Sequence, residues 1–154
     1  GERKSLLKVC VDTTVLIDVL KDQFPDFQEL LYHAIASRET LVAPPVVLAE
    51  LMPQFRGDTK LMEAFLKDHK ISIEALGTEA ARLAGARWME YLKRKTKVRC
   101  PHCGLALPSK EHFLSDFYIG GFALAHCDVI LTRDRGIYGK YFPDLKTFDR
   151  MLRT

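Results

Sequence analysis

The order of apolar runs along the chain predicts an α/β fold, with a mostly parallel central sheet flanked by helices on both faces. Three observations predict it. Short Val- and Leu-rich runs alternate with longer runs of helical periodicity. Turn, proline or capping residues stand between them, where helices start and stop. A length of 154 residues, 47% apolar and 28% charged, suits one hydrophobic core, so residues 1–154 read as a single domain. Parallel strands need crossover connections, and right-handed crossovers put helices on both sides of the sheet.

Leu6 to Val11 reads as the first strand, ending at Asp12-Thr13-Thr14, where helical spacing begins. Pro25 and Asp26 open a second helix through about Ser37, with Phe27, Leu30, Leu31, Ala34 and Ile35 on one face. Leu41 to Ala43 is the second strand. Pro44-Pro45 leads into a short helix that Pro53 ends or kinks, since proline fits only a first helical turn. Asp58 to Asp68 is an amphipathic helix, Ile71 to Leu76 alternates as a strand does, and Thr78 to Lys95 is a long Ala-rich helix. Residues 97–113 carry Pro101, Gly104, Pro108 and two cysteines, and read as a short Cys-bearing insertion. Ser115-Asp116 can cap a helix running to His126, in which Gly120-Gly121 reads as close packing against the sheet or a dimer partner, or as a plain tolerated defect. Asp128 to Thr132 is a strand followed by Arg133-Asp134-Arg135-Gly136, and Leu145 to Phe148 is a short final strand.

The longest apolar stretch, Leu41 to Phe55, is broken by Pro44, Pro45, Glu50 and Pro53, short of the roughly 18 residues that a membrane span needs. Residues 1–5 read as a cloning remnant or a flexible end, without the apolar core of a signal peptide, and a cytoplasmic protein is expected. The net charge is only +3, so affinity for nucleic acid requires local clustering. Lys93, Arg94, Lys95, Lys97 and Arg99 supply such a cluster, readable as an RNA contact or as a solvated helix end.

Asp12, Glu50 and Asp116 each stand alone in an apolar stretch, and Asp134 follows a strand end. A buried carboxylate persists only if it is paired, hydrogen-bonded or bound to a cation. Each has a local explanation: Asp116 as a helix cap, Asp12 bonding its turn, Asp134 pairing with Arg133 or Arg135. Glu50, with no Lys or Arg within five residues, has the weakest one. Together the four suggest one site, and their mutual repulsion implies a hard divalent cation such as Mg²⁺ or Mn²⁺. Such ions activate water against a phosphodiester.

Val11-Asp12-Thr13-Thr14-Val15-Leu16-Ile17, Leu48-Ala49-Glu50-Leu51, Ser115-Asp116-Phe117-Tyr118-Ile119 and Leu131-Thr132-Arg133-Asp134-Arg135-Gly136 resemble, in order and spacing, the PIN-domain nucleases. The chain is most similar to the VapC-type toxin ribonucleases of toxin–antitoxin pairs, over roughly Lys8 to Phe148. That resemblance implies an RNA substrate, a homodimer, an antitoxin partner, and Asp12, Glu50, Asp116 and Asp134 as ligands of Mg²⁺ or Mn²⁺. It implies Thr132 as a supporting hydroxyl, and Thr13 is counted with it. Thr14 departs from the family, where Ser or Asn is common, and so does the Cys-bearing insertion. A non-toxin RNA-processing nuclease and an inactive PIN fold that binds RNA or protein are the alternatives. A phosphatase with a strand-end Asp nucleophile is set aside, because Thr14 stands where a second Asp is usual.

Cys100-Pro101-His102-Cys103-Gly104 has the C-x-x-C spacing that presents two thiolates to one Zn²⁺. Three completions are open: His112 with a distant group, a four-thiolate site shared between two chains, or a degenerate knuckle with free thiols. Cys10 and Cys127 read as small buried apolar residues. His33, His69 and His126 read as packing or surface residues.

Overall fold

The computed structural model describes residues 6–95, 99–105 and 112–149. Its five strands are β1 (Lys8–Val11), β2 (Thr40–Ala43), β3 (Ile71–Ile73), β4 (Val129–Leu131) and β5 (Lys146–Thr147), all paired parallel in the order β3-β2-β1-β4-β5. Val9, Cys10 and Val11, and likewise Val129, Ile130 and Leu131, are buried without alternation. Successive strand residues point to opposite faces, so both faces of the sheet centre are covered.

Seven α-helices among the described residues provide the cover: α1 (Thr13–Leu20), α2 (Pro25–Ala36), α3 (Pro45–Leu51), α4 (Thr59–Asp68), α5 (Thr78–Lys95), α6 (Leu114–His126) and α7 (Arg135–Tyr141). Pro45 starts α3, and the backbone tightens into a 3₁₀ turn at Met52–Phe55, where Pro53 ends regular hydrogen bonding. Asp58 caps α4 by accepting from the Leu61 N–H at 3.1 Å.

Apart from boundaries that move by one or two residues, three elements differ from the sequence reading. β3 stops at Ile73 instead of Leu76, because its partner β2 ends at Ala43 before Pro44, and the Glu74 N–H donates to Ala43 as the last bond. The helix expected to be capped at Ser115-Asp116 starts at Leu114 after Phe113, leaving Asp116 inside the first turn. A helix absent from the sequence reading, α7, follows Asp134; Gly136 and Gly139 lower its intrinsic propensity, but Asp134 caps it and Ile137, Tyr138 and Tyr141 bury it.

The adjacent glycines of α6 are explained by two close approaches, neither of them to a strand. A Cβ on Gly121 would lie 2.5 Å from the Ala80 carbonyl oxygen of α5, and one on Gly120 would lie 2.5 Å from the Phe142 ring. Close docking of α6 on α5 holds the start of α6, and so Asp116, beside the sheet. No helix among the described residues is long and apolar enough to cross a membrane. Residues 1–5, Lys97 and much of the insertion lie outside the described residues.

Candidate active site

The strand order reverses at β1: the chain moves outward through β2 and β3, then returns to β4 on the other side. Ligands of open parallel sheets bind at such a switch point, beyond the carboxyl ends of the strands. Asp12 follows β1 there, and its N–H donates to the Leu131 carbonyl of β4 at 2.9 Å. Thr132 and Asp134 follow β4 at the same end.

Asp12 is 2% exposed. Two hydroxyls donate to its Oδ2, Thr132 at 2.6 Å and Thr14 at 2.9 Å. The loss of hydration nevertheless raises its pKa to about 7; the hydroxyls oppose the rise, and the carboxylates of Asp116 and Glu50 add to it. Thr132 and Thr14 each use the same oxygen again, Thr132 accepting from the Asp134 N–H at 3.0 Å and Thr14 from the Arg133 N–H at 3.2 Å. The two threonines thus tie the carboxylate of β1 to the loop after β4.

Glu50 reaches the same place from α3. Its two carboxylate oxygens accept from the Thr13 hydroxyl at 2.8 Å and the Ser115 hydroxyl at 3.4 Å. Burial raises its pKa; the Thr13 bond opposes this, Asp116 adds to it, and the Ser115 bond opposes it. Asp116 arrives on the first turn of α6, where its Oδ2 accepts from the Phe113 N–H at 3.2 Å. Its capping role is therefore real, and it coexists with electrostatic contact to Asp12 and Glu50.

Asp134 caps α7 by accepting from the Ile137 N–H at 3.4 Å. It reaches the other acids through Tyr138, a buried phenol whose pKa is pushed far up by lost hydration, then by the carboxylates of Asp12 and Asp116, the Cys10 thiol, and Asp134. The Tyr138 hydroxyl donates to the Asp116 carbonyl at 3.4 Å. Asp12, Glu50 and Asp116 therefore act electrostatically on one another, and Asp134 acts with Asp12 and Asp116 on the buried Tyr138.

The donors are hard oxygens, the type that suits a hard divalent cation. Among the described residues, no three acid, His or Cys side chains close on one point. A cation here would take one or two protein carboxylates and complete its shell with water or phosphate oxygen, as Mg²⁺ commonly does.

Ser115 and Tyr138 were absent from the sequence reading of the site, and so was Asp18. Asp18 is fully buried on α1 and takes the Arg133 Nε at 2.9 and 3.2 Å on its two oxygens. The same guanidinium lies over the Phe24 ring, 4.2 Å from its centroid. Arg133, suggested from sequence as a partner of Asp134, is thus engaged by Asp18. The signal was available: Asp18 is a lone charge within Leu16 to Leu20.

The basic run is partly engaged by its own chain. Arg94 lies over the Tyr141 ring and Lys95 over the Tyr91 ring, and Arg99 donates to the Gly104 carbonyl at 3.3 Å. The His33 ring packs against Phe148, while His69 and His126 bond the Phe65 and Leu76 carbonyls. These are structural contacts.

No family model and no curated protein matches this sequence. Solved structures do. A chain of a Rickettsia felis VapBC2 complex bound to a DNA fragment from its promoter superposes with a TM-score of 0.61 at 18% identity, over 92% of this chain and 99% of the other. A chain of a DNA-bound VapBC complex from Salmonella typhimurium superposes at 0.63 and 20% identity, over 94% and 98%. With five parallel strands in one sheet flanked by helices, the chain has the α/β fold of the chains it matches in these two VapBC complexes.

Proposed function

We propose that this chain is an endoribonuclease that hydrolyses RNA phosphodiester bonds with Mg²⁺ or Mn²⁺, acting as the toxin of a toxin–antitoxin pair. The observation that carries this reading is an unbalanced charge: at the switch point of the sheet Asp12 and Glu50 are both made harder to ionise, first by burial and then by neighbouring carboxylates, Asp116 on both and Glu50 on Asp12, and the groups that oppose the rise are hydroxyls. Such an arrangement lowers stability unless a cation completes it, and acids that cost stability are typical of functional sites. The toxin role draws on the likeness to two VapBC complexes.

In this reading the ion sits among Asp12, Asp116 and Asp134, one or two of which would ligate it directly while the others act through bound water, and Glu50 is a further ligand or the base that orients water. A bound divalent ion supplies an activated water and stabilises the leaving oxygen. The chain's own residues set the geometry. Thr132 and Thr14 both donate to Oδ2 of Asp12, which leaves Oδ1 as the oxygen a cation would take. Thr13 and Ser115 fix the plane of the Glu50 carboxylate from α1 and α6. The cations at the end of α5 lie on the side of the insertion and are the proposed contacts for RNA phosphates.

The test is cleavage of RNA by purified protein with Mg²⁺ or Mn²⁺, and after stripping with EDTA. Cleavage only in the metal-supplied sample is expected. Full cleavage by the stripped sample would overturn the metal-dependent reading.

A further inference from the structure

The C-x-x-C segment folds into a tight hydrogen-bonded turn. The Cys100 N–H donates to the Leu105 carbonyl at 2.7 Å, and the Gly104 N–H donates to the Cys100 carbonyl at 2.9 Å. Gly104 takes φ +73°, which a glycine adopts without strain. The backbone N–H groups of Cys103 and His102 point at the Cys100 sulfur, and the Cys103 side chain bonds it too.

Two thiolates are half of a structural zinc site, which is closed and four-coordinate. All four cysteines and all five histidines of the chain lie within the described residues, and His102 sits inside the turn between the two thiols, so the other half can be sought among the rest. Cys10 is buried in β1 with its thiol bonded to Cys127. His33, His69 and His126 are held in the contacts given above. The His112 ring lies edge-on to Tyr91 and Tyr141, and no three ligand-type side chains come together among the described residues. The completion through His112 therefore lacks its geometry.

We propose that Cys100 and Cys103 form half of a four-thiolate zinc site that a second copy of this chain completes with the same two residues. The ligand count argues for a second copy: a twofold pairing supplies two identical half-sites and leaves no coordination position open. The surroundings fit a protein contact as well. Leu105 beside the knuckle, Phe113 ahead of α6, and Met89 and Leu92 near the end of α5 are exposed apolar side chains on the segments that flank it.

The experiment uses the full chain purified without chelator, with zinc measured by elemental analysis and mass by light scattering. About 0.5 zinc per chain in a dimer is expected, because one four-thiolate ion serves two chains. Co²⁺ titrated into zinc-free protein should saturate at one ion per two chains with the absorption of a tetrahedral thiolate site. Cys103 is exposed, so Cys103→Ser should fold, lose the zinc and dissociate at least tenfold more readily on dilution, whereas Cys103→His should recover part of the metal binding. One ion per chain on a monomer overturns the proposal. So does less than about 0.2 zinc per chain, where a shared site requires about half an ion. Zinc retained by Cys103→Ser, or a dimer whose dilution behaviour is unchanged when the zinc is lost, also overturns it.

Discussion

Asp12 and Asp18 lie six residues apart, at the start of α1 and within it, and both carboxylates are almost completely buried. Their surroundings are opposite. Asp18 faces a guanidinium, Arg133, with the Gln23 amide on the same carboxylate at 2.9 Å. Asp12 faces two hydroxyls and, beyond them, two more carboxylates. Burial alone therefore does not mark a functional acid. What separates the two is the counter-charge: one carboxylate faces a cation of the fold, and the other faces hydroxyls and further carboxylates.

The largest expected effect comes from exchanging each acid for its amide. Asp12→Asn should reduce RNA cleavage by at least about 100-fold, the scale on which loss of a catalytic electrostatic group acts. It should also raise the melting temperature of metal-free protein. Asp18→Asn should lower the melting temperature, because Arg133 loses its partner; the cost is roughly 1–3 kcal/mol, less than for a fully buried pair because the Arg133 side chain is 32% exposed. Thermal melts and a cleavage assay on the two variants decide this. If both shift stability the same way, the contrast between the regions fails.

The next effect is a pH slope. The Asp12 pKa is about 7 in the folded chain, against an ordinary value of 3.8. Between these values the folded chain keeps a proton that the unfolded chain has released, so this group's contribution to stability falls as pH rises from about 4 to 7. Metal-free Asp12→Asn lacks that loss. Its stability relative to the parent should therefore climb across this window, by up to about 4 kcal/mol for a shift near three pKa units. Denaturant melts of both proteins at several pH values measure the difference, and a flat difference would show that Asp12 is not the strained group.

Asp116 sharpens the comparison, since it belongs to both kinds of region. Asp116→Asn should abolish cleavage and raise the metal-free melting temperature, and added Mg²⁺ should stabilise the parent more than the variant. If its capping bond to the Phe113 N–H dominates, the variant should instead lose up to about 1 kcal/mol and keep its activity.

The smallest expected effect is that of Thr132→Val, which removes a hydroxyl that donates to Asp12 and accepts from the Asp134 N–H. Stability should fall by about 1–2 kcal/mol, the scale of a lost buried hydrogen bond. An unchanged melting temperature would mean that the tie between β1 and the loop after β4 contributes little.

Much of the architecture was legible in the residues. Every strand and six of the seven helices found among the described residues were expected, because their apolar periods and their Pro, Asp and Gly boundaries are local properties. Asp12, Glu50 and Asp116 were picked out because each interrupts an apolar run, and the structure brings these three into mutual electrostatic contact. Asp18 meets the same criterion, as a lone charge within Leu16 to Leu20, although the sequence reading of the site does not include it. Helix α7 was missed because two glycines conceal it, and Tyr138 was missed with it.

The sequence by itself determined the alternation of strands and helices, the isolated acids, and the turn that sets Cys100 beside Cys103, since each depends on neighbours within a few residues. Only the tertiary structure decided which acids are balanced. Arg133 meets Asp18 across 115 residues, and Thr132 meets Asp12 across 120, because β4 returns to the side of β1 opposite β2. Charge balance is a sum over neighbours in space, and no local pattern encodes a partner that arrives from the other end of the chain.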